Sequence, residues 1–498
     1  MRRRTFLGSG VAVLAVSAVP WRRLYAAQDV PAVSRTGAAI TLPASDIADL
    51  RARLRGGLLL ASDAGFDAAR RIWNGYFDRR PALIAHCAGA ADVRHAIEFA
   101  ASHDLLVSVR GGGHSISGQS VCEGGLMISL AGMRGIRVDP ESRTARVEPG
   151  VLLGEFDREA QAFGLVTPAG TVSHTGVAGL TLGGGFGRLA RKFGLACDNL
   201  LSADLVTADG RLVRASATEH PDLYWALRGG GGNFGVVTSF EFRLHASPPV
   251  LLGGPLVFPF AQAKSVLRAY ADYSMTAGDD VYADAMIMTL PDGQRALMLD
   301  TCYGGPIEDG EKALGTLRRF GKPMQDAIAP TPYVALQTLS DQALAPGRRY
   351  YLKAGFVREI SRDMGDGVVE EFASLPPTVI AIFASAGGAI SRVSPTATAF
   401  WHRPARWNVV AATVWDNRAD DEGNIAAGRR AYKTMEPWVK GFYVNDANLA
   451  EQSQANVDSN YGGNHPRLVK VKTQYDPRNL FHLNANVVPA AGIEPATP

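Results

Sequence analysis

Three glycine runs set the terms for anything this chain can fold into. They are Gly111-Gly112-Gly113, Gly183-Gly184-Gly185 followed by Gly187, and Gly229 to Gly232. A single glycine marks a turn, but clustered glycines let backbone lie against something bulky. The first run follows residues 105–110, an apolar stretch with strand alternation, and a sharp turn there leaves backbone amides pointing outward. Such amides neutralise a pyrophosphate without side chains in the way. Gly170, Gly176 and Gly179 thicken the approach to the second run, which is suited to a second wall of the same site. A nicotinamide-binding Rossmann loop is the rival, because residues 185–190 and 230–235 satisfy its loose glycine pattern. The first of these is not led by a β-branched strand, and the second precedes a strand instead of a helix, so the surroundings are wrong for it.

The bulk properties narrow the class. A chain of 498 residues exceeds one ordinary core, and two domains or an intertwined pair are expected. Hydrophobic residues at 46% and charged residues at 20% fit a globular protein. A net charge of +3, with no basic stripe interleaved with aromatics, argues against nucleic acid as a partner. Cys87, Cys122, Cys197 and Cys302 match no zinc spacing and are too few for a disulfide framework, so no metal is expected. Three of them read as small buried fillers.

At the N-terminus, Arg3-Arg4-Thr5-Phe6-Leu7 precedes an apolar run from Gly8 to Val19. That run is too short for a stable membrane anchor. Residues 1–27 read as a twin-arginine signal, cleaved near Ala26 or Ala27, for the export machinery that moves folded proteins. The expected location is periplasmic or secreted. The sequence does not give the oligomeric state.

Periodicity places the elements. Residues 82–88, 105–110 and 126–130 read as strands, and 91–103 as an amphipathic helix. Hairpins are expected over 136–147 and 202–216, the latter turned at Asp209-Gly210. A helix over 151–163 is closed by Gly164. From 248 to about 450, helices alternate with antiparallel strands, among them a hairpin over 284–303, apolar strands at 379–384 and 409–415, and a helix over 420–439. Residues 475–481 read as a helix end, a turn and a docked apolar segment.

His114 and Cys197 gain meaning from their flanks. The segments Val109-Arg110-Gly111-Gly112-Gly113-His114-Ser115 and Gly194-Leu195-Ala196-Cys197-Asp198-Asn199 resemble the berberine bridge enzyme-like branch of the FAD-linked oxidases, within the vanillyl-alcohol oxidase or PCMH-type fold. So do residues 177–185, residues 227–235 and the tail segment from Tyr461 to Leu468, and the resemblance runs from about Asp78 to Val487. It implies an α+β, two-domain, PCMH-type FAD-binding fold with a split FAD domain over 40–247 and 455–498. An antiparallel-sheet substrate domain over 248–454 lies between the two parts. It implies FAD attached bicovalently, through His114 to the flavin 8α carbon and through Cys197 to C6. Further cofactor contacts would come from Arg110, Gly111, Gly112, Gly113, Ser115, Gly118, Gly170, Thr175, Gly176, Gly179, Gly183, Gly184, Gly185, Gly187, Asn199, Gly235, Val236 and Asn484.

The implied reaction moves a hydride from an alcohol, sugar or natural-product substrate, or from an amine, to flavin N5, with dioxygen as acceptor and hydrogen peroxide as product. Tyr443, in a Tyr-Val-Asn segment that many relatives share, is the candidate base, and Asn445 a flavin or substrate contact. A tyrosine base needs its pKa brought down from ~10. Plant relatives place a glutamate near residues 387–392, and none stands there in this chain. Asp446 reads as a solvated loop residue or an alternative base. His402 is a candidate substrate contact, with a structural hydrogen bond as the competing reading. Two other functions share these motifs: a dehydrogenase that excludes dioxygen through a residue within 175–179, and a secreted flavin-binding protein without catalysis.

Overall fold

The computed structural model describes residues 28–490, so the expected signal segment lies outside the described residues. The chain builds two bodies. In the first, strands Leu83–His86, Leu126–Ser129 and Val107–Arg110 pair in parallel, and Leu58–Leu60 adds an antiparallel edge. Helix Ala90–Ser102 covers this sheet because Val93, Ala96, Ile97 and Ala100 recur on one face and are buried. A second, five-stranded antiparallel sheet runs Leu212–Ser216, Leu200–Val206, Val236–Arg243, Thr144–Val147, Ile136–Asp139. Its hairpin turn contains Gly210 at φ +80°, a conformation that glycine adopts without strain.

The second body is an eight-stranded antiparallel sheet. Its central order is Val250–Pro259, Arg295–Tyr303, Val281–Thr289, Val379–Ser385, Trp407–Trp415, Arg349–Val357. Alternation assigns each strand two faces. Ala283, Ala285, Ala381, Phe383, Trp407, Val409 and Ala411 pack into one apolar core with helices Ala263–Thr276, Ile307–Leu317, Arg362–Phe372 and Asp421–Lys433. Their neighbours in sequence face the first body. The helix expected over 420–439 stops at Lys433, and a short 3₁₀ turn at Glu436–Trp438 follows, because Pro437 has no N–H to continue the α-helical ladder.

The tail returns to the first body. Helix His465–Tyr475 buries Leu468, Val471 and Tyr475 in a core that contains Leu223, Phe234 and Phe240. Leu480 and Phe481 dock beside Leu83, Val107 and Val206. Lys472, fully buried, ties the junction: its ammonium donates to Asp476 at 2.6 Å, to the Asn233 carbonyl at 2.8 Å and to the Phe481 carbonyl at 2.9 Å. The first body is therefore split in sequence, with the antiparallel sheet inserted between its parts.

Candidate active site

A cavity of about 490 Å³ separates the glycine-rich loops of the first body from the free face of the large sheet. Two of the glycine loops press on each other at its edge. A Cβ on Gly112 would lie 2.4 Å from the Gly176 Cα, and one on Gly187 would overlap the Ala169 carbonyl oxygen at 1.5 Å. Other glycines leave space: a Cβ on Gly179 or Gly232 would meet no atom within 4 Å, and both residues line the cavity.

His114 follows the first glycine run and lies in the wall. Its ring stacks on Trp73 at 4.1 Å between centroids, and His174 lies 5.1 Å away, tilted by 30°. Trp73 in turn stacks on Tyr350, so the imidazole is held at the end of an aromatic column. Burial, and secondarily His174, lower its pKa to about 3, which keeps the ring neutral and its nitrogen lone pair free. Nε2 is buried with no hydrogen-bond partner. Gln119 Oε1, Ser120 Oγ and Asn484 Oδ1 are likewise buried without partners, and all three residues line the same space. Orphaned polar atoms around glycines that leave room for added bulk fit a polar cofactor on this side of the cavity.

Of the residues expected from sequence, Gly111, Gly112, Gly113, His114, Ser115, Gly170, Thr175, Gly176, Gly179, Gly187, Gly235, Val236, Asn484, Tyr443 and Asn445 line this one cavity. Others stand behind its wall. Arg110 donates to the Ala69 carbonyl, and Gly118 packs against Phe77. Gly183, Gly184 and Gly185 back onto Asn445, Phe400 and Ala196. Asn199 bridges the Phe193 and Leu195 carbonyls to His245. His402 stacks on Phe356, its Nε2 2.9 Å from both oxygens of Asn460, so its contacts are structural. Cys197 is wholly buried with Ala190, Leu195, Phe400 and Tyr443, and burial pushes its thiol pKa up. Phe186, which packs on that cluster, and Tyr443, which belongs to it, line the cavity, whereas Cys197 itself does not.

On the opposite wall, beside Tyr282, stand residues that the sequence reading passed over: Asp284, Met286, Ile382, Asn408 and Val410 project from the sheet into the cavity. Asp284 accepts the Ser385 N–H at 2.6 Å and the Tyr282 hydroxyl at 2.7 Å. Asp446 accepts from Asn408 Nδ2 at 2.7 Å. It is no solvated loop residue: loss of hydration raises its pKa to about 6, as it does for Asp284. The readable signal was an aspartate or asparagine set within each apolar strand: Asp284 in VYADAMIMT, Asp300 in RALMLDTCY, Asn408 in WNVVAATVW.

Tyr443 is buried, and its hydroxyl oxygen accepts from the Gly185 N–H at 2.9 Å and from Asn445 Nδ2 at 2.8 Å. Burial and the nearby Asp446 push its pKa upward, outweighing those two donors.

A split α+β scaffold whose glycine loops and unpartnered polar groups face an open sheet defines a flavoprotein of the PCMH-type fold. The comparisons carry this to a family. The model described as "FAD binding domain" matches residues 81–216, and "Berberine and berberine like" matches residues 442–488. The chain is 32% identical to an FAD-linked oxidoreductase of Dictyostelium discoideum, over 84% of this chain and 91% of that one. It is also 32% identical to the (R)-6-hydroxynicotine oxidase of Paenarthrobacter nicotinovorans, over 88% and 97%. The solved structure of 6-hydroxy-D-nicotine oxidase from Arthrobacter nicotinovorans superposes with a TM-score of 0.80 at 29% identity, covering 88% of this chain and 98% of that one. The chain belongs to the berberine bridge enzyme-like FAD-linked oxidoreductases.

Proposed function

We propose that this protein is an oxidase that removes a hydride from a CH–OH or CH–NH carbon, with FAD attached through both His114 and Cys197. When bound, FAD supplies the hydride acceptor and passes the electrons to dioxygen, giving hydrogen peroxide. The observation that carries the reading is the neutral, partnerless His114 nitrogen in the glycine-lined wall. The Trp73 stack fixes the ring plane, so this nitrogen is oriented before the cofactor arrives. Cys197 stands behind the same wall, its N–H bonded to the Gly184 carbonyl at 2.9 Å, and the second link requires its sulfur to gain access to the cavity. Gly179 and Gly232 leave space for the cofactor, and Asn484 offers it a hydrogen-bonding oxygen.

On the substrate side, the proton goes to Asp446. A carboxylate with a pKa of about 6 is ionised yet basic near neutrality, whereas Tyr443, the candidate from sequence, is held protonated by its surroundings. Tyr443 then acts by position: accepting from Gly185 and Asn445, it fixes the segment that presents Asp446. The twin-arginine pattern supports action outside the cytoplasm.

The test is colour and peroxide. FAD-loaded protein, denatured and acid-washed, should stay yellow. His114→Ala and Cys197→Ala should each retain one link and His114→Ala/Cys197→Ala none, read by mass spectrometry. Release of all flavin from either single variant sinks the two-link proposal. Asp446→Asn should slow flavin reduction by at least ~100-fold, and Tyr443→Phe by much less; the reverse order returns the base to Tyr443.

A further inference from the structure

The charged side chains that line the cavity are all carboxylates: Asp284, Asp300 and Asp446, with no lysine or arginine among the lining residues. Asp300 is neutralised from behind by Arg188, wholly buried and 2.5 Å away. Among the described residues, Asp284 and Asp446 have no cation hydrogen-bonded to them and accept only from neutral groups. FAD, which carries phosphates, would add no positive charge when bound. A poorly hydrated carboxylate without a cation is costly, and a neutral ligand would leave that cost in place.

The sheet register gathers these groups. Asp284 pairs with Asp300 on the neighbouring strand, and Ala384 pairs with Asn408. The Ser385 N–H, next to Ala384, reaches Asp284. Asp284 and Asn408 are therefore about two strand spacings apart, roughly 10 Å between backbones. Asp446 hangs from Asn408 above that row. Two further acceptors of this cavity wall, both at least nine-tenths buried, have no partner: Asp300 Oδ1 and Asn408 Oδ1. Beyond the row the floor is apolar, with Met286, Ile382, Val410 and Ala412.

We propose that the substrate is an amine with an apolar body, its ammonium held between Asp284 and Asp446 and its hydrocarbon on the Met286, Ile382 and Val410 floor. This rests on the oxidase reading and narrows it. Asp284 is the anchor, and Asp446 takes the ammonium proton. The groups that face Asp284 are Tyr282, Asp300 and Ser385, with Arg188 behind Asp300; those that face Asp446 are Asn408 and Tyr443. None of them supplies the missing cation, because Arg188 is spent on Asp300.

The test uses FAD-loaded protein and the matched pair 1-phenylethylamine and 1-phenylethanol, with cellobiose as a third probe. Binding is read from the perturbation of the flavin absorption band, and anaerobic bleaching is followed separately. The amine should bind at least ~10-fold tighter than the alcohol at pH 7.5. Asp284→Asn should remove most of that preference. In the unmutated protein the preference should fade as the pH drops through about 6, where both carboxylates take up protons; this arm stands even if the variant does not fold. Equal or tighter binding of the alcohol or cellobiose, binding of no probe, or a preference that survives both Asp284→Asn and low pH overturns the proposal. Bleaching by alcohol or sugar alone would overturn it and leave the oxidase reading intact, whereas protein that takes up no FAD would fail both.

Discussion

At Asp446 a single side chain is held in a state that the unfolded chain would not choose. Its folded pKa of about 6 lies above the ordinary carboxylate value, so the folded protein binds the proton more tightly than the unfolded chain does. Stability from this group is complete below about pH 4 and is lost as the pH rises through about 6. Asp446→Asn removes that loss and keeps an oxygen for Asn408. The variant should be more stable by about 1–2 kcal/mol at pH 7.5 and no more stable at pH 4, measured by thermal denaturation of the apoprotein. A site residue whose removal stabilises the fold is the expected signature of function built at the expense of stability. His114 and Cys197 were legible because their flanking segments are distinctive. Asp446 was not, because nothing local distinguishes a solvated aspartate from one turned into a cavity.

The glycine loops and the strands were legible as elements to different depths. The hairpin turned at Asp209-Gly210 forms, with Ser202 paired to Ser216, and the hairpin of the large sheet pairs Asp284 with Asp300. Which face of each strand meets the cavity depends on register and on what packs behind, and neither is written in one strand alone. That is why the aspartate row was not legible from the strands alone. The glycines differ in what they are for, and two substitutions separate the roles. Gly112→Ala places a methyl 2.4 Å from the Gly176 Cα and should cost about 1–3 kcal/mol through backbone displacement, seen as a lowered melting temperature. Gly179→Leu sits in helix Val177–Gly183 with open space before it, and helix propensity favours leucine there. Its apoprotein should melt no lower than the parent, while its flavin content after loading falls at least ~10-fold. Full loading would show that the space before Gly179 is not used by the cofactor.

Across the whole molecule the decisive contact is the one between the tail and the third glycine run. The sequence showed a docked apolar tail, and Leu480 and Phe481 are buried accordingly. It did not show that Lys472 and Asp476 would be buried as a pair, because a Lys-Asp spacing of four on a helix is ordinarily a solvated surface pair. Lys472→Ala leaves Asp476 buried without its cation and the Asn233 carbonyl without its donor, while the Phe481 carbonyl keeps only the bond from Asn484. A loss of about 3–5 kcal/mol is expected, read by thermal melting, together with a drop in retained flavin. Lys472→Arg should not rescue, since a planar guanidinium does not fit three acceptors arranged around an ammonium.

The return of the tail also orders events during biosynthesis. Phe481, Leu483, Asn484 and Ala485 form part of the cavity wall, although the glycine loops they face are made some 250 to 370 residues earlier. A nascent chain still threaded in the ribosomal tunnel at residue 450 has its histidine and its loops but lacks one side of the chamber. The chamber is whole only once this stretch has been made and docked, and a polypeptide truncated before residue 481 should retain less FAD than the parent.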